Sequence, residues 1–194
     1  RNTNIANAWD QVEETVSQME AQAEEDGISV ENVQVHYGHN TTSVVRAQQL
    51  GRYTYQSNKL VRTILSPTRA KSLNLTDTIG EDWKSFILGL GQLLGEKVHN
   101  LGPEITETII MKDLNDPKKY QPIIEVLQNQ QQSDRQFTME EVNMFKRILG
   151  KPTFEKWQGL NEYARFLNTE DKSQFDTKIY LEADGMSNGP FNAM

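Results

Sequence analysis

Between residues 78 and 168 the apolar residues recur at steps of three and four, and glycine, proline or polar runs cut the pattern at short intervals. That spacing puts them on one face of a helix, and each cut ends one helix before the next begins. A chain so patterned folds as several short helices that bury their stripes against one another. Thr78-x-x-Glu81 has the form of a capping box, followed by an apolar face of Trp83, Phe86, Ile87, Leu90 and Leu94. Gly89, Gly91 and Gly95 weaken that helix and mark close packing. Pro103 sits near the start of a helix running to about Met111. Pro122 to Gln132 follows, ending in a Gln/Asn run from Gln128 that is expected to be exposed. Thr138-x-x-Glu141 is a second capping box; Val142, Phe145 and Leu149 mark its helix, and Gly150-Lys151-Pro152 ends it. A last helix over 153–168 is expected to turn Trp157, Leu160, Ala164 and Leu167 to the core.

Upstream, Ile5, Trp9, Val12, Val16, Met19 and Ala23 make one stripe of a helix, with glutamates on its other faces and Asp26-Gly27 at its end. It reads as a packing helix with a solvated acidic side. From Ile28 to about Tyr55 the chain is β-like: Val30, Val33 and Val35 suit a strand, Tyr37 to Asn40 a turn, and Val44-Val45 a second strand. His36 and His39 are too few ligands for zinc without help. Arg46 and Arg52, then Lys59, Arg62 and Arg69, form a local basic stretch, which suits either a phosphate-facing surface or a solvated face. At the far end Thr177 to Ala183 alternates, with Ile179, Leu181 and Ala183 on one strand face. The strand runs into Asp184-Gly185 and then Asn188-Gly189. Both are common turn pairs. Equally, a carboxylate at a strand end is a hard ligand for magnesium, and a glycine beside it exposes a backbone carbonyl. The order predicts an α+β fold, predominantly helical with a small antiparallel sheet.

Composition narrows the classes. With no cysteine, the chain has neither disulfides nor thiolate metal sites, which favours an intracellular setting. A net charge of −7 opposes a general nucleic-acid coat, although basic residues concentrated in a cleft remain compatible with it. No apolar run reaches membrane-spanning length and no signal peptide opens the chain, so no membrane partner is expected. No Gly-Lys-Thr/Ser phosphate loop and no Ser/His/Asp arrangement is present. The start at Arg1 and the stop at Met194 are those expected of a piece of a longer polypeptide.

Asp184-Gly185-x-x-x-Gly189, with Phe191 and Ala193-Met194 behind it, resembles motif A of the single-subunit RNA polymerases of phages and mitochondria. Gln48-Gln49-Leu50-Gly51-Arg52 resembles the family's Thr/Asp-x-x-Gly-Arg motif at Gly51 and Arg52 and departs from it at Gln48. Asp184 to Phe191 looks most similar to the large polymerases packaged in the capsids of short-tailed phages. The resemblance covers roughly residues 33–194 by layout and is specific at its two ends.

The resemblance implies an incomplete right-hand polymerase fold: a thumb-like helical end over 1–30, then the N-terminal part of the palm over 31–194, with a palm-type sheet. It implies DNA-directed nucleotidyl transfer with two magnesium ions, Asp184 and the Gly185 carbonyl as metal ligands, and Asn188 and Gly189 beside the cofactor. Arg52 would neutralise phosphate charge, and Gln48, Gly51, Arg52, Arg46, Lys59 and Arg62 would face nucleic acid. Its partners would be template DNA, nascent RNA, NTPs and a C-terminal polymerase part that supplies the second metal aspartate. Its place would be the virion or the host cytoplasm, and this chain alone would be inactive. Two other classes stay open: a non-catalytic virion or scaffold protein, and a nucleic-acid-binding module without chemistry.

Overall fold

The computed structural model describes residues 3–34, 38–41, 47–49, 70–95, 101–150 and 154–179. They fall in two compact units, one of residues 1–66 with 185–194 and one of residues 67–184.

The first unit opens with α1 (Thr3–Asp26). It ends as the Asp26-Gly27 pair requires: Gly27 adopts φ 64°, a left-handed conformation that glycine reaches without strain. The Gly27 N–H donates to Glu24 O at 3.3 Å and the Ile28 N–H to Ala23 O at 3.0 Å, closing a Schellman motif. Val30, expected in a strand, instead lies in a 3-10 turn, Val30–Asn32, held by Asn32 N–H donating to Ser29 O at 2.8 Å. His39 and Asn40, expected in a turn, lie in β1 (His39–Thr41), which pairs antiparallel with β2 (Ala47–Gln49). Val35, His36, Val44 and Val45 are outside the described residues.

The second unit is helical with one ribbon at its root. β3 (Lys71–Leu73) leads to α2 (Glu81–Leu94), α3 (Pro103–Leu114), α4 (Gln121–Ser133), α5 (Met139–Leu149), α6 (Phe154–Asn168) and finally β4 (Phe175–Thr177). β4 pairs antiparallel with β3. Trp83, Phe86, Ile87, Leu90 and Leu94 of α2 are all buried, as their spacing predicts. The expected Thr78–Glu81 box does not form: the N-cap is Gly80, so Glu81 is the first helical residue and sits too early to reach back. Two neighbouring carboxylates stitch the entry instead, Asp77 accepting from Ile79 N–H at 2.9 Å and Asp82 from Asn74 N–H at 2.8 Å. Glu81 and Asp82 also lie in the first turn, where the helix dipole favours negative charge.

α4 and α6 pack along each other; of the Gln/Asn run expected to be exposed, Asn129 and Gln132 are exposed, while Gln128 and Gln131 are half-buried at that interface. The Asn168 amide donates to Gln128 O at 3.0 Å and to Gln131 Oε1 at 3.2 Å, while its oxygen accepts from Gln132 Nε2 at 3.0 Å. Gln131 Nε2 reaches Asn161 O at 2.9 Å. An amide offers two donor hydrogens and an acceptor oxygen from one side chain, which is why a polar run can line a helix contact. The buried face of α6 is rotated from expectation: Leu160 and Ala164 are inside, but Leu167 is 37% exposed and Phe166 is 7% exposed. Phe166 is drawn in by aromatic partners on α2 and β4, at ring-centroid distances of 5.5 Å to Phe86 and 5.8 Å to Phe175. Gly159 belongs to the same face; a Cβ there would meet Leu93 Cβ at 3.1 Å, so glycine lets α6 approach α2 closely.

The second capping box forms in full. Thr138 Oγ1 accepts from Glu141 N–H at 3.2 Å, and Glu141 accepts from Thr138 N–H at 2.8 Å. Arg135 forks onto the same carboxylate at 2.9 and 2.5 Å. The Arg135 hydrogen bond, followed by the Thr138 N–H, lowers the Glu141 pKa from 4.5 to about 2. Replacing Thr138 by Ala is expected to cost about 1 kcal/mol in urea unfolding. A depressed folded pKa adds stability above the ordinary value of 4.5, and that stability is lost as pH falls toward 2. Glu141→Gln should therefore lower the urea midpoint at pH 7 and flatten its decline between those two values.

Candidate functional site

Thr177 precedes Asp184 by seven residues, so the β3–β4 ribbon is the described structure nearest the expected metal ligand along the chain. Leu73 pairs with Phe175, Ser72 with Asp176 and Lys71 with Thr177. Leu73, Phe175 and Thr177 point inward, at 8%, 1% and 3% exposure. The last strand was expected over 177–183. It begins two residues earlier, because the Phe175 ring is captured edge-on by Phe86 at 5.6 Å. The pairing ends at Thr177; Lys178 and Ile179 are not in a strand, and residues 180–183 lie outside the described residues.

An ionic knot on α6 ties this ribbon down. Glu162 accepts from Thr177 Oγ1 at 2.6 Å and from Arg165 Nε and Nη2 at 3.0 and 2.6 Å. Arg165 Nη2 also donates to the Asp176 carbonyl, and its guanidinium lies 4.2 Å from the centroid of the Phe175 ring. One planar cation thus grips a carboxylate, a strand carbonyl and an aromatic face, which suits arginine and not lysine. Thr177 Oγ1 in turn accepts from Ile179 N–H at 3.2 Å, extending the hold past the strand end. Beside the ribbon lies a cleft of about 250 Å³, lined by apolar Leu73, Phe86 and Ile179 and by polar Lys71, Asp82 and Ser85 among others.

Of the residues expected to act, Gln48 is in β2, opposite Asn40 of β1. Arg46, Gly51, Arg52, Lys59, Arg62 and Arg69 lie outside the described residues, as do Asp184, Gly185, Asn188 and Gly189. Among the described residues no three His, Cys, Asp or Glu side chains converge to hold a metal ion. No helix of the described residues is long and apolar enough to cross a membrane. The positioning residues Glu162, Arg165 and Thr177 were not foreseen. Their one signal in the sequence is an opposite-charge pair three apart on a helix, which is too common to single out.

Thr177→Val keeps the shape but removes the hydroxyl that bonds both Glu162 and Ile179 N–H. Amide exchange at Ile179 should then quicken by about tenfold, the equivalent of about 1.4 kcal/mol.

Two family models match the chain. A virion DNA-directed RNA polymerase domain covers residues 1–65, and the plug insertion of the virion DNA-directed RNA polymerase covers residues 83–167. The second match lies wholly between β3 and β4, so the helical body leaves and re-enters the chain through paired strands. The virion DNA-directed RNA polymerase of Enterobacteria phage N4 is 36% identical over 195 aligned residues, an alignment that takes in all of this chain and 5% of that protein. The chain belongs to the virion DNA-directed RNA polymerases of phages and corresponds to a segment of such a polymerase that includes the plug insertion.

Proposed function

We propose that this segment leads into the catalytic centre of a virion polymerase that performs two-metal nucleotidyl transfer from NTPs to an RNA 3′ end on a DNA template. The observation that carries this reading is identity to a virion polymerase across the whole chain, including the stretch that ends in Asp184-Gly185-x-x-x-Gly189. Residues 31–194 are then the N-terminal part of the palm with the plug body inserted in it, and residues 1–30 the thumb-like end. The chemistry of the donors fits magnesium: a carboxylate and a backbone carbonyl are both hard oxygen ligands. Asp184 and the Gly185 carbonyl would hold the metal, together with a second carboxylate from the polymerase beyond this chain, and Asn188 and Gly189 would lie beside it. Magnesium, when bound, activates the 3′-hydroxyl and offsets charge at the α-phosphate. Arg52 forks two N–H groups onto a phosphate, and Gly51 lets backbone approach it. Arg46, Lys59 and Arg62 line the path of template and transcript as a local basic exception to an acidic chain, and Gln48 offers a hydrogen bond beside them. The polymerase acts in the phage virion and the infected host.

The Glu162–Arg165–Thr177 knot supports the reading from the other side. A metal ligand must be held to a fraction of an ångström, and the ribbon upstream of Asp184 is anchored by a charged network on a packed helix. The test uses the full-length polymerase on a DNA template with magnesium. Asp184→Ala should cut transcript extension at least about a thousandfold, roughly 4 kcal/mol of barrier, with DNA binding and melting temperature retained. Arg52→Ala should lose about ten- to a hundredfold, with a shallower dependence on salt because one phosphate contact is gone. Undiminished extension by Asp184→Ala would make Asp-Gly a turn and this segment a structural part of the virion protein.

A further inference from the structure

Helix α1 carries an apolar stripe that is partly exposed. Trp9 is 55% exposed and Val16 is 42% exposed; Val12 and Met19, on the same face, are half-buried. Ala23 is buried, where the chain folds back at Ile28. The other faces hold seven acids, Asp10, Glu13, Glu14, Glu20, Glu24, Glu25 and Asp26, and α1 contains no lysine or arginine. Three of those acids crowd the last turn, where the helix dipole already presents negative charge, and the first turn has none. An isolated helix gains nothing from that arrangement, whereas a cationic partner at its C-terminal end relieves it.

We propose that α1 is a docking helix: the Trp9–Val12–Val16–Met19 stripe seats in an apolar groove edged with lysine or arginine on the polymerase polypeptide outside residues 1–194. The inference rests on the polymerase reading above. Charge selects the occupant. A second copy of α1 would bring seven more acids up to these seven, and nucleic acid or an anionic bilayer would be repelled by the acids of the helix. The matched relative extends far beyond the matched segment, which is 5% of it, so covalently tethered surface is at hand at high effective concentration. An exposed tryptophan at the head of such a stripe is the usual anchor of a helix-in-groove contact.

Site-specific photo-crosslinking in the full-length polymerase tests this, with p-benzoyl-phenylalanine in place of Trp9, of Val16, or of Glu14 on the opposite face. The expected product at Trp9 and Val16 is an intramolecular crosslink to a peptide outside residues 1–194 that contains lysine or arginine. Its yield at Glu14 should be at least about tenfold lower. Adding Glu24→Lys and Glu25→Lys should cut the Trp9 yield by about threefold or more. Crosslinks to a second molecule, to DNA, to lipid or within residues 1–194 would overturn the proposal, as would no crosslink at all. Transcript extension measured on the same preparations separates the two readings. A polymerase that extends RNA but gives no crosslink refutes the docking helix alone; one that extends nothing on any template refutes the polymerase reading.

Discussion

The second unit depends on one aromatic junction. Phe86 of α2, Phe166 of α6 and Phe175 of β4 meet pairwise at 5.5 to 5.8 Å, in tilted and edge-on geometries that favour the ring quadrupoles. Trp83 joins through Phe166 at 5.6 Å and sends its indole N–H to Glu107 of α3 at 2.9 Å. Three helices and the final strand therefore share one set of contacts. Burying each ring contributes about 1.5–3 kcal/mol, and removal of any one also leaves a cavity beside the others.

The junction also fixes where the ribbon leaves the body. Phe175 is clamped between Phe86 and Phe166 on one side and capped by the Arg165 guanidinium. β3 enters the body and β4 exits it as neighbours in register, so the helices form a loop-like excursion closed at its root. This is the geometry an insertion needs. A host structure accepts a large excursion at little cost when the two ends stay as close as the strands they interrupt. The match to a plug insertion between those strands has this physical counterpart.

Polar chemistry completes what the rings begin. The amide contacts of Asn161 and Asn168 with Gln128, Gln131 and Gln132 join α4 to α6 along their half-buried edge. The Glu162–Arg165 pair closes the ribbon side, and the Arg135–Glu141 pair with the Thr138 box starts α5. One hydroxyl stands apart: Thr106 Oγ1 on α3 is fully buried without a hydrogen-bond partner among the described residues.

The sequence by itself determined the helices, because a 3.6-residue period and its stop signals are local. The stripe of α1 with Gly27, the face of α2, Pro103 at the start of α3 and the Thr138–Glu141 box are all readable from spacing. It also carried the resemblance to an RNA polymerase family, at Asp184-Gly185 and Gly51-Arg52, residues that lie outside the described ones. What only tertiary structure decided was partnership. Lys71–Leu73 has no strand signal of its own and becomes one because Phe175–Thr177, about a hundred residues away, supplies its hydrogen bonds. Phe166 displaced Leu167 from the core because rings from two other elements were waiting for it. Gln128 and Gln131 of the Gln/Asn run join the α4–α6 contact because Asn161 and Asn168 could answer them. Each of these depends on a contact between residues distant in sequence, and local spacing carries no record of such contacts.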